Sequence, residues 1–206
     1  MIKGFTLIEL LIVIGILAIL ATTVVLVLNP AQILQESRDT QRLTDFGTLQ
    51  SAIALYLSTA ITPSIGGAVC GTDWWVTIPT GSGTFAVGDQ PFVNPVSAKV
   101  PAQIASPALA NGTGWMRIDF SSTPDSGISN LPVDPTNATA NENPNVAYTA
   151  VGSADRFYAY GCRTTGGVNQ YKITANLESP KHSPKEGTDG GTQANLYEVG
   201  INMSQI

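Results

Sequence analysis

Charge is what this chain of 206 residues has least of: Asp, Glu, Lys and Arg make up 12% of it, about half the usual quarter. That scarcity excludes an acidic or basic disordered chain, which needs charge to stay open. Ten basic residues face fifteen acidic ones, for a net charge of −5 and a pI of about 4.7. The densest basic stretch, Lys181-His182-Ser183-Pro184-Lys185-Glu186, is short and partly neutralised. No nucleic-acid partner is expected, because phosphate binding needs clustered Lys and Arg. Histidine occurs once, as His182, and cysteine twice, as Cys70 and Cys162, too few ligands for a zinc site. Enzyme signatures are missing too: there is no nucleophile elbow, no His-Glu-x-x-His and no Gly-rich phosphate loop. Catalysis is not expected.

Hydrophobicity, at 43% of the chain, is concentrated at one end. Residues 5–28 read FTLIELLIVIGILAILATTVVLVL, with Glu9 as the only charge. As a helix this stretch spans about 36 Å, enough for a hydrocarbon core of about 30 Å. A cleavable secretory signal is shorter and is followed by a small-residue cleavage site; here Asn29-Pro30 follows. The stretch reads as a membrane anchor, with two departures. A carboxylate at membrane depth costs about 3 kcal/mol, so Glu9 either finds a partner or reaches the headgroups. The head Met1-Ile2-Lys3-Gly4 is too short and too weakly charged for an ordinary n-region.

Lys3-Gly4-Phe5-Thr6-Leu7-Ile8-Glu9, followed by an unbroken apolar helix, resembles the prepilin signal of type IV pilins and type II secretion pseudopilins. The resemblance implies that a prepilin peptidase/N-methyltransferase cuts between Gly4 and Phe5 and methylates the Phe5 amine, with Glu9 as the assembly glutamate. A Glu9 carboxylate paired with a neighbouring subunit's Phe5 amine relieves the burial cost of both and sets the stagger. Such a contact is heterologous, and one that does not close builds a helical filament. The implied precursor spans the cytoplasmic (inner) membrane once, in contact with membrane lipid, with its head outside the cytoplasm. Inner-membrane assembly machinery then joins it to identical or related pilin subunits in an extracellular or periplasmic filament. Orientation rests on this resemblance, because Lys3 on one side and Arg38 and Arg42 on the other give the positive-inside rule little to read. Loss of Lys3 with the leader takes the side-chain charge to −6, one below the −5 of the full chain.

Asn29-Pro30 either caps a new helix or kinks a continuous one. Beyond it, SRDTQRLTDFGTLQSAIALYL resembles the spine helix of pilin-like proteins, with Phe46, Leu49, Ile53 and Leu57 on one face. Arg38, Asp39, Arg42 and Asp45 lie mainly on other faces. Asp39–Arg42 and Arg42–Asp45 are opposite-charge pairs of a few tenths of a kcal/mol, read as a solvated surface or as contacts with another subunit. The composition then shifts to Gly, Pro, Ser, Thr and Asn, with strand-like runs at 74–78, 115–120, 147–151, 157–162, 171–177 and 196–201. Gly166-Gly167 marks a hairpin turn, and alternation puts Tyr158, Tyr160 and Cys162 on one face. Residues 82–114 and 121–146 read as long loops. The expected fold class is α+β and pilin-like: a long N-terminal helix packed on an antiparallel sheet. Its parts are a leader at 1–4, a transmembrane or filament-core helix at 5–28, the amphipathic half of the spine at 29–58 and a head at 59–206. After Leu57 the head has 11 acids against 7 bases.

In an exported head, Cys70 and Cys162 read as a disulfide closing a loop of roughly 90 residues, with two free buried thiols as the alternative. No cofactor is expected. Asp134 and Asn137 in LPVDPTN are candidate calcium ligands, since some major pseudopilins bind calcium in this region of the fold, or they serve turn chemistry alone. Trp74-Trp75 forms a binding platform if exposed. Asn111, Asn137 and Asn202 begin N-x-S/T sequons. The functional reading is a structural subunit of a type IV pilus or a type II secretion pseudopilus. The alternative is a binding module: a minor tip pilin, an adhesin or a DNA-uptake pilin.

Overall fold

The computed structural model of the chain describes residues 4–66, 70–71, 74–77, 108–122, 127–136 and 156–203. Two helices come first. The 22-residue α1 (Leu7–Leu28) is apolar after Glu9 except for Thr22 and Thr23, and every described side chain on it is exposed. Thr22 and Thr23 donate their hydroxyls back to the carbonyls of Ile19 and Leu20, so neither presents an unpaired polar group to an apolar surrounding. The helix stops at Asn29, whose φ of 40° and ψ of 77° lie in the left-handed region, a conformation that Asn tolerates better than most residues.

One residue later α2 (Pro30–Thr59) begins. Pro30 occupies its first position, where a missing N–H costs nothing. Of the two readings of Asn29-Pro30, a break with a fresh start is the one observed. The Asn29 carbonyl accepts from the N–H groups of Gln32 at 3.0 Å and Ile33 at 3.3 Å, while its side chain makes no capping bond. At the far end, Ser58 and Thr59 donate to the Leu55 carbonyl and Pro63 lies ahead, which together end the helix.

The sheet has four antiparallel strands in the order β1 (Trp74–Val76), β2 (Tyr158–Thr165), β3 (Val168–Ala175) and β4 (Tyr197–Ile201). The β2–β3 hairpin closes at Thr165↔Val168 through Gly166 and Gly167, both at positive φ (61° and 81°), as a two-residue turn between twisted strands requires. Phe46, Leu49, Ile53 and Tyr56 of α2 pack on the face carrying Tyr158, Tyr160, Cys162, Tyr171, Ile173 and Val199. Phe46 lies between Tyr158, edge-on at 5.1 Å, and Tyr197, stacked at 5.9 Å. A long helix, apolar at its start, a second helix and a four-stranded antiparallel sheet make the α+β pilin-like architecture.

Three features differ from the sequence reading. Tyr56 takes the buried place on α2 expected for Leu57, which is half-buried. The expected strand at 115–120 is a series of turns and bends ending in a 3-10 turn, Phe120–Ser122. Its Trp115, Met116, Ile118 and Phe120 are all buried, but among the described residues its neighbourhood pairs only through the single bridges Leu109↔Asn130 and Asn111↔Asp119. The apolar run plugs the core, and none of the described residues gives it the partner strand that a ladder needs. Trp74 and Trp75 are both buried, so the pair offers no exposed platform. The expected strand at 147–151, and most of the loops at 82–114 and 121–146, lie outside the described residues.

Candidate functional site

Gly4 and Phe5 precede the first helical turn and are exposed, Phe5 at 77%. The peptide bond between them therefore lies outside the helical hydrogen-bond ladder. Thr6 is the N-cap of α1, and with Glu9 it forms a capping box. The Glu9 N–H donates to Thr6 Oγ1 at 3.3 Å, and Glu9 Oε2 accepts from the Thr6 N–H at 3.0 Å and the Thr6 hydroxyl at 2.7 Å. Read from sequence, Glu9 is a carboxylate in search of a partner. In the folded chain its first partners are its own residues, an arrangement that satisfies otherwise orphaned donors at a helix start. The capping box also holds the carboxylate one residue from Phe5.

A second constellation appears in the third and fourth turns of α2, where sequence placed a solvated face. Asp39 and Arg42 are fully buried, and they continue the apolar stripe: 39, 42, 46, 49, 53 and 56 follow the alternating three- and four-residue spacing of one helix side. The guanidinium spends all five of its N–H donors. Nε bonds Asp134 Oδ2 at 2.7 Å. Nη2 bonds Asp134 Oδ1 at 2.9 Å and Thr136 Oγ1 at 3.0 Å. Nη1 bonds Asp39 Oδ1 at 2.9 Å and Glu178 Oε1 at 2.6 Å.

Around this centre the acids are themselves saturated. Asp39 accepts from the backbone of Glu178 and from both the backbone and the hydroxyl of Ser179, and Arg38 forks onto Glu178. Three separate stretches of chain (α2, residues 134–136 and residues 178–179) meet on one cation. The expected Arg42–Asp45 pair does not form; Asp45 accepts from the Tyr158 hydroxyl at 2.7 Å and from Gln41 at 3.3 Å.

Burial alone raises the Asp39, Asp134 and Glu178 carboxyls, and their hydrogen bonds more than reverse it. Asp39 is lowered mainly by Ser179 and the Glu178 N–H, Asp134 by Arg42, and Glu178 by Arg38 and Arg42. All three lie below their ordinary values. Arg42 loses by burial and gains more from Asp134, Glu178 and Asp39, so it stays charged.

Asp134, a calcium candidate from sequence, thus has both oxygens on a guanidinium, and Oδ1 also accepts from the N–H and hydroxyl of Thr136. Asn137 lies outside the described residues. Among the described residues no group of three or more His, Cys, Asp or Glu side chains is placed to hold a metal. Cys70 and Cys162 are bonded to each other, tying the chain before β1 to the middle of β2. Of the expected site residues, Gly4, Phe5 and Glu9 stand together at the N-terminus, while Asp134 and the two cysteines belong to the head. Sequence reasoning missed Asp39, Arg42 and Glu178. The available signal was the stripe itself: Arg42 is four residues and Asp39 seven before Phe46, positions that a purely apolar criterion discards.

No curated protein and no solved structure matches the chain. Its N-terminal part does match a family: residues 1–25 fit the model of the prokaryotic N-terminal methylation motif. The exposed apolar helix, capped by Thr6 and Glu9, therefore carries the prepilin motif of type IV pilins and pseudopilins.

Proposed function

We propose that the chain is a prepilin that is cut between Gly4 and Phe5, methylated on the Phe5 amine and polymerised through α1 into a type IV pilus or a type II secretion pseudopilus. One observation carries the reading: a 22-residue apolar helix with no described side chain buried, behind a capped carboxylate. A helix so apolar needs lipid or other helices around it, and the motif supplies the order of events. Lipid surrounds it in the precursor; the helices of other copies surround it in the filament.

Glu9 supports this sequence of states. In the precursor the capping box satisfies its carboxylate within the chain. After cleavage, Phe5 gains a cationic amine one residue from Thr6, and Glu9 becomes the acceptor for the amine of an arriving subunit. Glu9→Gln keeps an acceptor oxygen for the cap and loses the charge. The variant is expected to insert and to be cut after Gly4, while filaments are lost. Intact mass of the mature chain and electron microscopy of sheared filaments check both parts. Filaments of normal number and length from Glu9→Gln would sink the charge-pairing role.

A further inference from the structure

The Arg42 centre joins α2, the helix that follows the one carrying the assembly motif, to the head, and the prepilin reading leaves it unexplained. We propose that Arg42 is the positioning residue of a joint that fixes the head's orientation on the spine, and that assembly depends on this orientation; the second half rests on the prepilin reading. Place, geometry and redundancy carry the inference.

The centre begins nine residues beyond Asn29, about 14 Å along the helix, and so at the base of the head. Its members come from α2, from residues 134–136 and from residues 178–179. Four of the five bonds from one planar guanidinium cross to the head, and four directed bonds define an orientation as well as an attachment. Attachment alone has other sources: Phe46 between Tyr158 and Tyr197, the Tyr158–Asp45 bond and the Tyr56 hydroxyl, which both accepts from and donates to the Ser64 backbone. The apolar half of α2 keeps the head folded on it, and the charged half sets the angle at its base. A filament repeats one subunit geometry many times, so only correctly angled heads add to it, and the apparent assembly affinity falls with the competent fraction.

The experiment uses the full-length chain, expressed with prepilin peptidase and assembly machinery, as wild type, Arg42→Lys and Asp134→Asn. Lysine keeps the charge without the fork, and asparagine keeps the shape without the charge. Cleavage after Gly4 and the Cys70–Cys162 bond are read by mass, filaments by shearing, and local opening by hydrogen exchange in detergent. Both variants are expected to be cut and disulfide-bonded like wild type. Exchange should rise by about a hundredfold or more in residues 31–42, 134–136 and 178–179 and stay unchanged in 46–56 and 158–175, while filament yield drops by at least about tenfold.

Wild-type filament yield with a loosened joint would overturn the dependence of assembly on orientation. Unchanged exchange at the joint, or faster exchange through the whole head, would overturn the positioning role, the latter by making Arg42 a general fold stabiliser. Failure of the prepilin reading would show in the wild-type chain itself, uncut or without filaments, and would overturn the assembly half while exchange still reports on the joint.

Discussion

Gly66 sits against the disulfide. A methyl group on its Cα would come within 2.5 Å of Cys162 Sγ and 2.6 Å of Cys70 Sγ, closer than any real contact, so one side must yield. The loop around it has little slack. Ile65 offers its carbonyl to the Tyr160 hydroxyl at 2.6 Å, Ser64 exchanges two bonds with Tyr56, and the Gly71 N–H donates to the Cys162 carbonyl at 2.7 Å. Gly66→Ala is therefore expected to cost about 1–3 kcal/mol, the range for overpacking a filled site, and to leave a fraction of chains with unpaired thiols. Thiol titration under denaturing conditions and the thermal midpoint together decide; full pairing with an unchanged midpoint would show that the loop can move aside. None of this crowding was legible in the sequence, where Gly66-Gly67 looks like any flexible turn. The cysteine pairing was legible as one of two options, because exactly two thiols leave few alternatives.

Elements were readable to the extent that their signals are local. The uninterrupted apolar run of α1, the break at Asn29-Pro30, the stripe through Phe46, Leu49 and Ile53 and the double-glycine hairpin each write their geometry into a few neighbouring residues. The Arg42 centre does not: Asp134 is 92 residues away and Glu178 136, and an arginine on a helix looks the same whether water or a carboxylate receives it. The centre also gives the fold its pH response. Asp39, Asp134 and Glu178 hold their protons less tightly folded than unfolded. The stability they give is thus complete above their unfolded values of about 4 and is lost as pH falls through the lower folded values. Asp45 and Glu186, raised chiefly by burial, act with the opposite sign: their contribution is complete below their unfolded values and is lost as pH rises through the folded ones. The urea midpoint is expected to fall steeply as pH drops below about 4. Asp134→Asn should flatten the acid limb, because one of the three carboxylates behind it has gone. An acid limb as steep in Asp134→Asn as in wild type would assign the response to other groups.

At the scale of the whole molecule, the scarcity of charge has two origins. Residues 5–28 carry one charged side chain, as the proposed passage from lipid to a helical core requires. Beyond α1, several of the few described charges are spent inside: Arg42 and Asp39 of α2 and Asp134, Lys172 and Glu198 of the head are all buried, with Lys172 and Glu198 paired at 2.8 Å. The two parts share almost nothing else. No described side chain of α1 is buried, and the core is made from α2 onward, so α1 adds no apolar burial to the stability of the head. A chain beginning at Asn29 should then fold as the full chain does, with the same disulfide and the same pH response. It should run as a monomer without detergent, because about 24 residues that demand an apolar surrounding have gone. Ile33 and Leu34 stay exposed on its first turns, too small a patch to hold two copies together firmly. Light scattering and a thermal midpoint within a few degrees of the full-length protein in detergent are the expected results. A truncated chain that unfolds or aggregates would mean that α1 supports the head through contacts beyond those of the described residues, and the division between a filament-forming helix and an independent head would fall with it.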